Sequence, residues 1–417
     1  MRRYKLKLKN SKFDIYDDFL SRDSEISNIR LEINRVKRAL RKLGSPCKNI
    51  PAIQIIGTNG KGSIASFLEK ILFLSKINIG VTTSPHLFDV TERIRVNTNK
   101  IKKSTFENII CSTKNKVEKY NLSPFELILC CGLQFFDSEK LDLLILEAGL
   151  GGRLDATSAH ELRPIIAIGK IGFDHKEYLG ETIEEIAKEK VAVIKKNTSV
   201  VSSNQSNKVK KIIDEKVKQV GAEIFWMDPL SEEWEIGLNG YFQKENASVA
   251  IGVADILKKM GWNISKESIK KGISEAEWPG RLETLNWKNK KIIVDAAHNP
   301  TAAEVISSER DSWVKEENGI YWILGVQKRK EIMEIIETIA KPVDHILLVP
   351  VPNQLSWRLE DLENSSLINR FNIIEFDHFS NALNYLDKLE KWPDCNPVLT
   401  GSIFLVAEFI KYVEEFK

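Results

Sequence analysis

The chain has few of the features that mark whole classes of protein. Its 417 residues include five cysteines that form no CxxC pair and no metal-ligand spacing, which excludes a disulfide framework and a zinc finger. No apolar run approaches the ~18 residues of a membrane span, and no apolar segment of a signal peptide follows the basic start MRRYKLKLKN. We therefore expect a soluble, cytoplasmic protein with reduced thiols and no membrane partner.

A charge excess of one sign is also nearly absent. The chain carries 61 lysine and arginine residues against 58 aspartate and glutamate residues, so its net charge of +3 gives no reason to expect a nucleic-acid partner. The hydrophobic fraction of 42% is that of an ordinary globular protein. At roughly 100–200 residues per domain, the length predicts two or three domains.

Short apolar runs alternate with helical patterns along most of the chain. The run Ala52–Ile56 predicts a strand, and Ser63–Leu74 predicts a helix. Further strands are predicted at residues 141–146, 164–168 and 199–202. Runs that are apolar on both faces are typical of a parallel sheet covered by helices. A second set of strands begins near residue 290, and the polar segment 278–291 is the predicted seam between two α/β domains.

The strongest motif is IIGTNGKGS, residues 55–63, in which a predicted strand ends in a glycine-rich turn. Such a turn wraps around an anion, its N–H groups point at the anion, and Lys61 adds positive charge. The hydroxyl groups of Thr58 and Ser63 are placed for contact with phosphate or metal. The motif departs from GxxxxGK[ST], because Gly62 separates Lys61 from Ser63, but nucleotide binding is favoured over an incidental glycine-rich turn.

A second signal is Glu147, which closes the apolar strand LDLLIL. In a doubly wound sheet, a carboxylate at the end of a central strand lies beside the phosphate loop, where Mg²⁺ attached to ATP needs an oxygen ligand. The alternative is a strand-end carboxylate in water. The GLGG segment that follows is not a dinucleotide fingerprint, since Leu154 stands where the third glycine belongs.

Two further candidates, His175 and Lys190, lie in the segment IGFDHKEYLGETIEEIAKEK. Thr182 and Glu185 have capping-box spacing, and the apolar stripe of the helix they start includes Lys190. A buried lysine has a lowered pKa and is more nucleophilic, but on the residues alone a snorkelling lysine or a salt bridge is favoured. His175 could ligate a metal ion, although a lone histidine is more often a structural hydrogen-bonding group.

Weaker signals come from polar residues at other strand ends and at the seam. Ser84 follows a short strand, and Asp295 follows a strand of the second half, where it could accept ribose hydroxyl groups. His298 comes three residues later. Arg281 of PGR could reach a phosphate across a cleft between the domains. Asn246 lies on the inward stripe of a predicted helix, where it could equally be a core cap.

Taken in chain order, GTNGKGS, TSPHL with ERI, EAGLGGRLDAT, PGR and DAAHNP resemble the folylpolyglutamate synthase family of the Mur-ligase superfamily. The resemblance spans roughly residues 30–405. It implies an α/β fold with Mur-ligase architecture. Residues 1–283 would form an ATP-binding domain around a P-loop-type, mostly parallel sheet, and residues 284–417 a smaller, Rossmann-like glutamate-ligase domain.

The resemblance implies an ATP-dependent amide ligase that acts on small molecules. ATP would phosphorylate a carboxyl group of dihydropteroate or folate, and the amine of L-glutamate would attack the acyl phosphate. We favour both dihydrofolate synthesis and polyglutamate extension, because SPFE and LDA match the dihydropteroate pocket of bifunctional members. The alternatives are an extension-only synthase, a regulatory ATPase of the same fold, and a ligase of cell-wall precursors, against which GLGGRLDAT argues.

The resemblance also assigns roles to individual residues. Two Mg²⁺ ions are expected, one held by Ser84 and Glu147, the other by His175 and a carbamate formed on Lys190. The implied catalytic residues are Lys61, Lys190, His175 and His298. The implied nucleotide contacts are Thr58, Asn59, Gly60, Lys61, Gly62, Ser63, Asn246, Arg281 and Asp295. The implied substrate contacts are Phe125, Glu126, Leu154, Asp155, Ala156 and Ser402. A monomer is expected.

One segment departs from the family pattern. After the strand YWILG the family often has an acidic DKD-like motif, whereas this chain reads GVQKRKE. Lys328, Arg329 and Lys330 stand there in place of acid. How the second domain recognises a polyglutamate tail is therefore not predicted.

Overall fold

Two β-sheets, each covered by helices, organise the residues that the computed structural model describes, 32–314 and 319–415. The predicted α/β fold class is confirmed. The basic segment at residues 1–10, which we did not interpret as a signal peptide, lies outside the described ranges. Within them, no helix combines the length and the apolar character needed to cross a bilayer.

The first sheet contains eight strands within the described ranges, and six of them run parallel. In chain order they are β1 (Ala52–Ile56), β2 (Ile79–Thr82), β3 (Ile94–Val96), β4 (Asn99–Lys100), β5 (Leu143–Glu147), β6 (Ile165–Ile168), β7 (Ser199–Ser203) and β8 (Glu223–Met227). Across the sheet the order is β4-β3-β2-β5-β1-β6-β7-β8. The chain order reverses beside β1, and a crevice at the carboxyl ends of the strands is expected at such a switch point.

The second sheet contains six described strands in the order β13-β12-β11-β14-β10-β9. They are β9 (Glu283–Trp287), β10 (Lys290–Val294), β11 (Tyr321–Leu324), β12 (His345–Leu348), β13 (Asn372–Glu375) and β14 (Val398–Thr400). Strand β9 pairs antiparallel with β10, and the other pairs are parallel. We call residues 32–282 the N-terminal lobe and the described residues from 283 the C-terminal lobe. The predicted domain limits, 1–283 and 284–417, stay a prediction.

The helices lie between these strands in chain order. In the N-terminal lobe they are α1 (Ile33–Lys42), α2 (Lys61–Leu74), α3 (Lys103–Val117), α4 (Pro124–Ser138), α5 (Lys176–Leu179), α6 (Ile183–Val191), α7 (Asn207–Val220), α8 (Phe242–Lys259) and α9 (Lys266–Ser274). In the C-terminal lobe they are α10 (Pro300–Trp313), α11 (Ile332–Ile339), α12 (Leu367–Arg370), α13 (Phe379–Asp387) and α14 (Ile403–Glu414). Short 3-10 turns occupy Val90–Arg93, Glu118–Tyr120, Ala156–Ala159 and Leu359–Leu362.

The predicted strands at 52–56, 141–146, 164–168 and 199–202 are confirmed to within two residues. The predicted capping box of Thr182 and Glu185 starts α6. Two details differ. Helix α2 begins at Lys61 instead of Ser63, because Gly60 adopts φ of 83° and serves as its N-cap. The polar segment 278–291 is not only a connection, because it contains β9 and the start of β10, with Lys288 and Asn289 forming the turn of a hairpin.

Packing of α8 against α2 sets the geometry of the cleft. Val249, Val253 and Ile256 recur at helical spacing along α8, and the core they join includes Phe67 and Ile71 of α2. All five side chains are buried. Because both helices are held by this core, the first turn of α8 lies against the loop that precedes α2.

Candidate active site

The loop from Gly57 to Gly60 joins β1 to α2 and is held by the segment that follows β6. The backbone N–H groups of Thr58 and Asn59 donate to the carbonyl of Lys170, at 2.8 and 3.1 Å. The Thr58 hydroxyl donates to the Gly172 carbonyl at 2.9 Å. The first N–H groups of α2 have no acceptor within the helix, so this end of the helix can bind an anion.

Two lysine side chains meet at one backbone carbonyl of this loop. The Nζ atoms of Lys61 and Lys190 lie 3.2 and 3.0 Å from the Gly57 oxygen. Burial, reinforced by the charge of Lys61, lowers the pKa of Lys190 to about 7. Burial also lowers the pKa of Lys61, against the opposing effect of Glu147. The predicted inward position of Lys190 is confirmed, whereas its carbamate stays a prediction.

Glu147, at the end of β5, is buried beside the loop. One of its carboxylate oxygens accepts a hydrogen bond of 3.0 Å from the backbone N–H of Ser84. Burial raises the pKa of Glu147, and the charge of Lys61 acts in the opposite direction. Strands β1 and β5 are neighbours in register, with Ile55 opposite Glu147, which explains why this carboxylate stands next to the loop.

His175 occupies the N-cap of the short helix α5, with φ of 52°. Burial lowers the pKa of its imidazole to about 3, so the ring is neutral at pH 7. Its Nδ1 atom is buried and makes no hydrogen bond to the residues that the structure describes. A neutral imidazole with an unused nitrogen is suited to bind a metal ion.

The C-terminal lobe adds Asp295 and His298 from the segment that follows β10. The Asp295 carboxylate accepts hydrogen bonds from the N–H groups of Leu282 and Ala297, at 3.0 and 2.7 Å, and burial raises its pKa. The Nδ1 atom of His298 lies 2.8 Å from the Ala296 carbonyl, and burial lowers the pKa of the ring to about 4. A neutral His298 must therefore donate from Nδ1, which leaves Nε2 as a base.

Asn246, in the first turns of α8, is buried against the loop. A Cβ atom at Gly60 would collide with the side-chain oxygen of Asn246, so a glycine is required there for steric reasons as well as for its positive φ. The Asn246 amide also donates to Gln243 at 2.9 Å. Both the ligand-contact and the core-cap interpretations of Asn246 are compatible with this position.

A cavity of about 360 Å³, the first cavity, brings the predicted catalytic, nucleotide-binding and metal-binding residues together. The predicted residues that line it are Thr58, Asn59, Gly60, Lys61, Gly62, Ser63, Ser84, Glu147, His175, Lys190, Asn246, Arg281, Asp295 and His298. They come from both lobes. The cleft between the lobes is therefore the candidate site.

A second cavity, of about 490 Å³, adjoins the first. Gly62, Ser84, Glu147 and Arg281 line both cavities. The remaining walls of the second cavity are mixed aromatic, aliphatic and charged, and include His86, Leu87, Phe88, Arg95 and Trp278. Groups bound in the two cavities would therefore contact the same residues.

None of the predicted substrate residues lines either of these two cavities, and Phe125 lines a small separate pocket together with Glu147. Glu126 forms a buried ion pair with Arg35 at 2.7 Å. Asp155 is a buried cap that accepts hydrogen bonds from backbone N–H groups of the loop after β5, and Ser402 caps α14. Phe125 packs on Gly149. The substrate roles of Phe125, Glu126, Leu154, Asp155, Ala156 and Ser402 stay predictions.

Some site residues escaped the sequence analysis. Tyr241 and Asn299 line the first cavity, and Asp174, next to His175, bonds to Asn299 and Lys330 across the cleft. The helix N-cap position of Asn299 in DAAHNP was a usable signal. Lys330 lies in the segment we noted as a departure, but nothing in the sequence indicated its partner.

A family model described as "Dihydrofolate synthetase, C-terminal domain" matches residues 280–412. A dihydrofolate synthase/folylpolyglutamate synthase of Buchnera aphidicola is 30% identical over 407 residues, which cover 91% of this chain and 92% of the relative. The chain belongs to the dihydrofolate synthase/folylpolyglutamate synthase family. The predicted family and the predicted enzyme class, an ATP-dependent ligase, are confirmed.

Other members of the family agree in sequence and fold. The dihydrofolate synthetase of Saccharomyces cerevisiae is 29% identical over 355 residues, covering 78% of this chain and 82% of its own. The E. coli FolC structure in complex with DHPP and ADP has a TM-score of 0.84 at 23% identity, covering 98% of this chain and 99% of its own. A Yersinia pestis structure with AMPPNP and a Mn ion has a TM-score of 0.82, also at 23% identity, and covers 97% of this chain and 98% of its own. The Mur-ligase-like architecture is thereby confirmed.

Replacing Lys61 with alanine should lower the turnover number by ~10²–10³-fold, because a preorganised positive charge at the phosphate loop is lost. Steady-state release of phosphate from ATP measures the effect. The thermal unfolding temperature should stay near that of the unaltered protein, since Lys61 bonds only loop carbonyls among the described residues. Near-native turnover would contradict the assignment of the phosphate loop.

Proposed function

We propose that this protein joins L-glutamate to dihydropteroate, to reduced folates, or to both, through an acyl phosphate formed at the expense of ATP. The observation that carries the proposal is the junction of the two cavities at Gly62, Ser84, Glu147 and Arg281. It allows the terminal phosphate of a nucleotide in the first cavity to meet the carboxylate of an acceptor in the second.

ATP would lie in the first cavity with its phosphates on the loop Thr58–Ser63. Lys61 and Arg281 supply positive charge there. The base would lie at the other end of the cavity, where Tyr241 and Phe242 of the N-terminal lobe face Val305 of α10. Since aromatic and aliphatic side chains from both lobes form this end, bound nucleotide would hold the lobes together.

The acceptor would lie in the second cavity, where Phe88, Trp278 and His86 offer aromatic surface. Trp278 stands at the junction, because a Cβ atom at Gly62 would lie 2.8 Å from its indole ring. The guanidinium of Arg95 lies 5.4 Å from the centroid of the same ring and is fixed by Glu69 at 2.7 Å. These contacts make a rigid wall suited to a flat aromatic acceptor.

The reaction would proceed in two steps. A carboxylate oxygen of the acceptor attacks the γ-phosphorus of ATP, and ADP leaves. The neutral amine of glutamate then attacks the carbonyl carbon, and phosphate leaves as the amide forms. His298, with Nε2 unprotonated, would take the proton that the amine loses. Ser402 remains a further candidate for placing the glutamate.

A divalent metal would be held by Ser84 and Glu147, and a second by His175 and Lys190. The buried, unbonded Nδ1 of His175 fits that assignment. No three histidine, cysteine, aspartate or glutamate side chains cluster as a metal site in the described part of the chain. A carbamate on Lys190 would add an oxygen ligand beside His175, and water and the phosphates of ATP would supply others. Bound Mg²⁺ would offset the negative charge of the phosphates.

Carbamate formation requires a neutral lysine, which burial provides at Lys190. With its pKa lowered to about 7, a substantial fraction of the amine is unprotonated near neutral pH. The amine nitrogen attacks CO₂, an N–C bond forms, and one proton is released. The carbamate carries a negative charge where protonated Lys190 carries a positive one. The repulsion between Lys190 and Lys61 is thereby removed.

The choice of acceptor tests the proposal. Phosphate release from Mg·ATP with glutamate should be stimulated by dihydropteroate and by tetrahydrofolate, and each product should be heavier by one glutamate. Stimulation by tetrahydrofolate alone would leave an extension-only synthase. If neither acceptor stimulates release, the ligase proposal fails and a regulatory ATPase becomes the better account.

Replacing Lys190 with alanine should abolish ligation, and short carboxylic acids such as acetate should restore part of it by taking the place of the carbamate. The matched control is Lys188→Ala, because Lys188 lies two residues away on the exposed face of α6. It should keep full activity. Full activity of Lys190→Ala without added acid would contradict the carbamate role.

Replacing Trp278 with alanine should raise the KM for the acceptor on the order of 10-fold, since a lost aromatic contact costs about 0.5–1.5 kcal/mol beyond the lost area. The KM for ATP should change little. The comparison is Phe125→Ala, which tests the pocket implied by SPFE. A larger rise of the acceptor KM in Phe125→Ala than in Trp278→Ala would place the acceptor outside the second cavity.

A further inference from the structure

The side chains of the basic segment Lys328–Lys330, which follows β11, bond to two different lobes. Lys328 pairs with Asp361, and Arg329 donates to Gln327 at 2.9 Å, so both bond within the C-terminal lobe. The Nζ atom of Lys330, in contrast, lies 2.5 Å from a carboxylate oxygen of Asp174 in the N-terminal lobe. Lys330 is 7% exposed. This ion pair is therefore largely shielded from water.

The backbone of Lys330 is fixed from its own lobe. Its N–H group donates to the Gln327 carbonyl at 2.9 Å, and its carbonyl accepts from the indole N–H of Trp357, also at 2.9 Å. A lysine held in this way presents its ammonium group at a defined position. The side chain lines neither of the two cavities, so it has no contact with a bound nucleotide or acceptor there.

The second oxygen of Asp174 is also held by the C-terminal lobe. It accepts a hydrogen bond of 3.0 Å from the side-chain amide of Asn299. The oxygen of Asn299 in turn accepts from the N–H of Ala302 and caps α10. Two side chains of the C-terminal lobe thus bond to a single carboxylate of the N-terminal lobe. We call Asp174, Asn299 and Lys330 the interlobe clasp.

The clasp joins the chain neighbours of two site histidines. Asp174 precedes His175 and accepts a hydrogen bond of 2.9 Å from its backbone N–H. Asn299 follows His298 and lies 3.4 Å from the side chain of Asn59 in the phosphate loop. The clasp therefore fixes how far His298 stands from the loop. Burial opposes the charge of Asp174, but the ammonium group of Lys330 outweighs burial and lowers the pKa of the carboxyl.

We propose that Lys330 is a positioning residue for ligation, which acts through Asp174 to hold the lobes in the arrangement that brings His298 to the phosphate loop. The inference rests on the proposed function. Removing one partner of a buried ion pair leaves the other charge without compensation, so the closed arrangement should lose stability relative to an open one. Nothing in this role requires Lys330 to touch a reacting atom.

The first test compares Lys330→Met with Lys328→Met, a lysine two residues away that bonds within its own lobe. Lys330→Met should lower kcat/KM for ATP about 10- to 100-fold, the range of a coupling between two parts of a protein. Lys328→Met should leave it nearly unchanged, and Lys330→Arg should recover part of the loss. Equal effects of the two methionine variants would overturn the proposal.

A double-mutant cycle tests whether Lys330 acts through Asp174. In an Asp174→Asn background, Lys330→Met should have little further effect on kcat/KM for ATP, because the carboxylate charge that Lys330 pairs with is already absent. Independent effects, with the two losses multiplying, would overturn the proposal. Thermal unfolding of each variant identifies any that fails to fold, and the Lys330→Arg comparison remains informative in that case.

A distance measurement tests the arrangement of the lobes directly. Spin labels at Lys211→Cys and Lys391→Cys, both on exposed positions, report the separation of the lobes in the presence of Mg·ADP, with Cys111 replaced by serine. Lys330→Met should broaden the distribution toward longer distances, and Lys328→Met should not. An unchanged distribution in Lys330→Met would overturn the proposal.

A failure of the proposed function would be distinguishable from a failure of this inference, since the unaltered protein would then be inactive with every acceptor.

Discussion

The carbonyl oxygen of Gly57 accepts hydrogen bonds from both Lys61 and Lys190, and this shared acceptor is the constraint on which the site depends. Two ammonium groups so close together repel each other, and burial prevents water from screening the repulsion. The repulsion is reduced when negative charge binds at the loop or when Lys190 loses a proton. Bound phosphates would bring negative charge. A carbamate on Lys190 would bring negative charge and would also remove the positive charge of the lysine. The negative charge of Glu147, which the register of β1 and β5 brings beside the loop, offsets part of the positive charge of the two lysines.

Neither lobe contains a complete site. The N-terminal lobe provides the phosphate loop, Glu147 and both lysines, whereas Asp295 and His298 come from the strand end of the other sheet. In both sheets the residues that line the first cavity follow the carboxyl ends of strands, as expected for open α/β sheets. Since the two cavities meet at this cleft, the relative position of the lobes decides whether the reacting groups can meet. The contacts that fix the relative position of the lobes are therefore as necessary for the reaction as the phosphate loop.

The sequence predicted what local patterns encode. Three glycines and a lysine between a strand and a helix predicted the turn that lines the first cavity, and helical periodicity predicted that Lys190 faces inward. Contacts between residues that are far apart in the chain leave no local pattern in the sequence. Glu126 pairs with Arg35, which is 91 residues away, and no pattern in the sequence indicated that partner. Lys330 and Asp174 are 156 residues apart, and a basic segment that read as a departure from the family supplies one side of the clasp. The second cavity is likewise lined by residues far apart in the chain, among them Gly62 and Trp278.

The central claim is that a carboxylate of the acceptor becomes an acyl phosphate at the junction of the two cavities. Its most direct test uses dihydropteroate or folate with ¹⁸O in the reacting carboxylate, together with Mg·ATP, glutamate and the unaltered protein. Because the attacking oxygen stays bonded to phosphorus when the amide forms, the account predicts that the released phosphate carries one ¹⁸O atom per turnover. Amide formation with unlabelled phosphate would contradict an acyl phosphate and the role assigned to the junction.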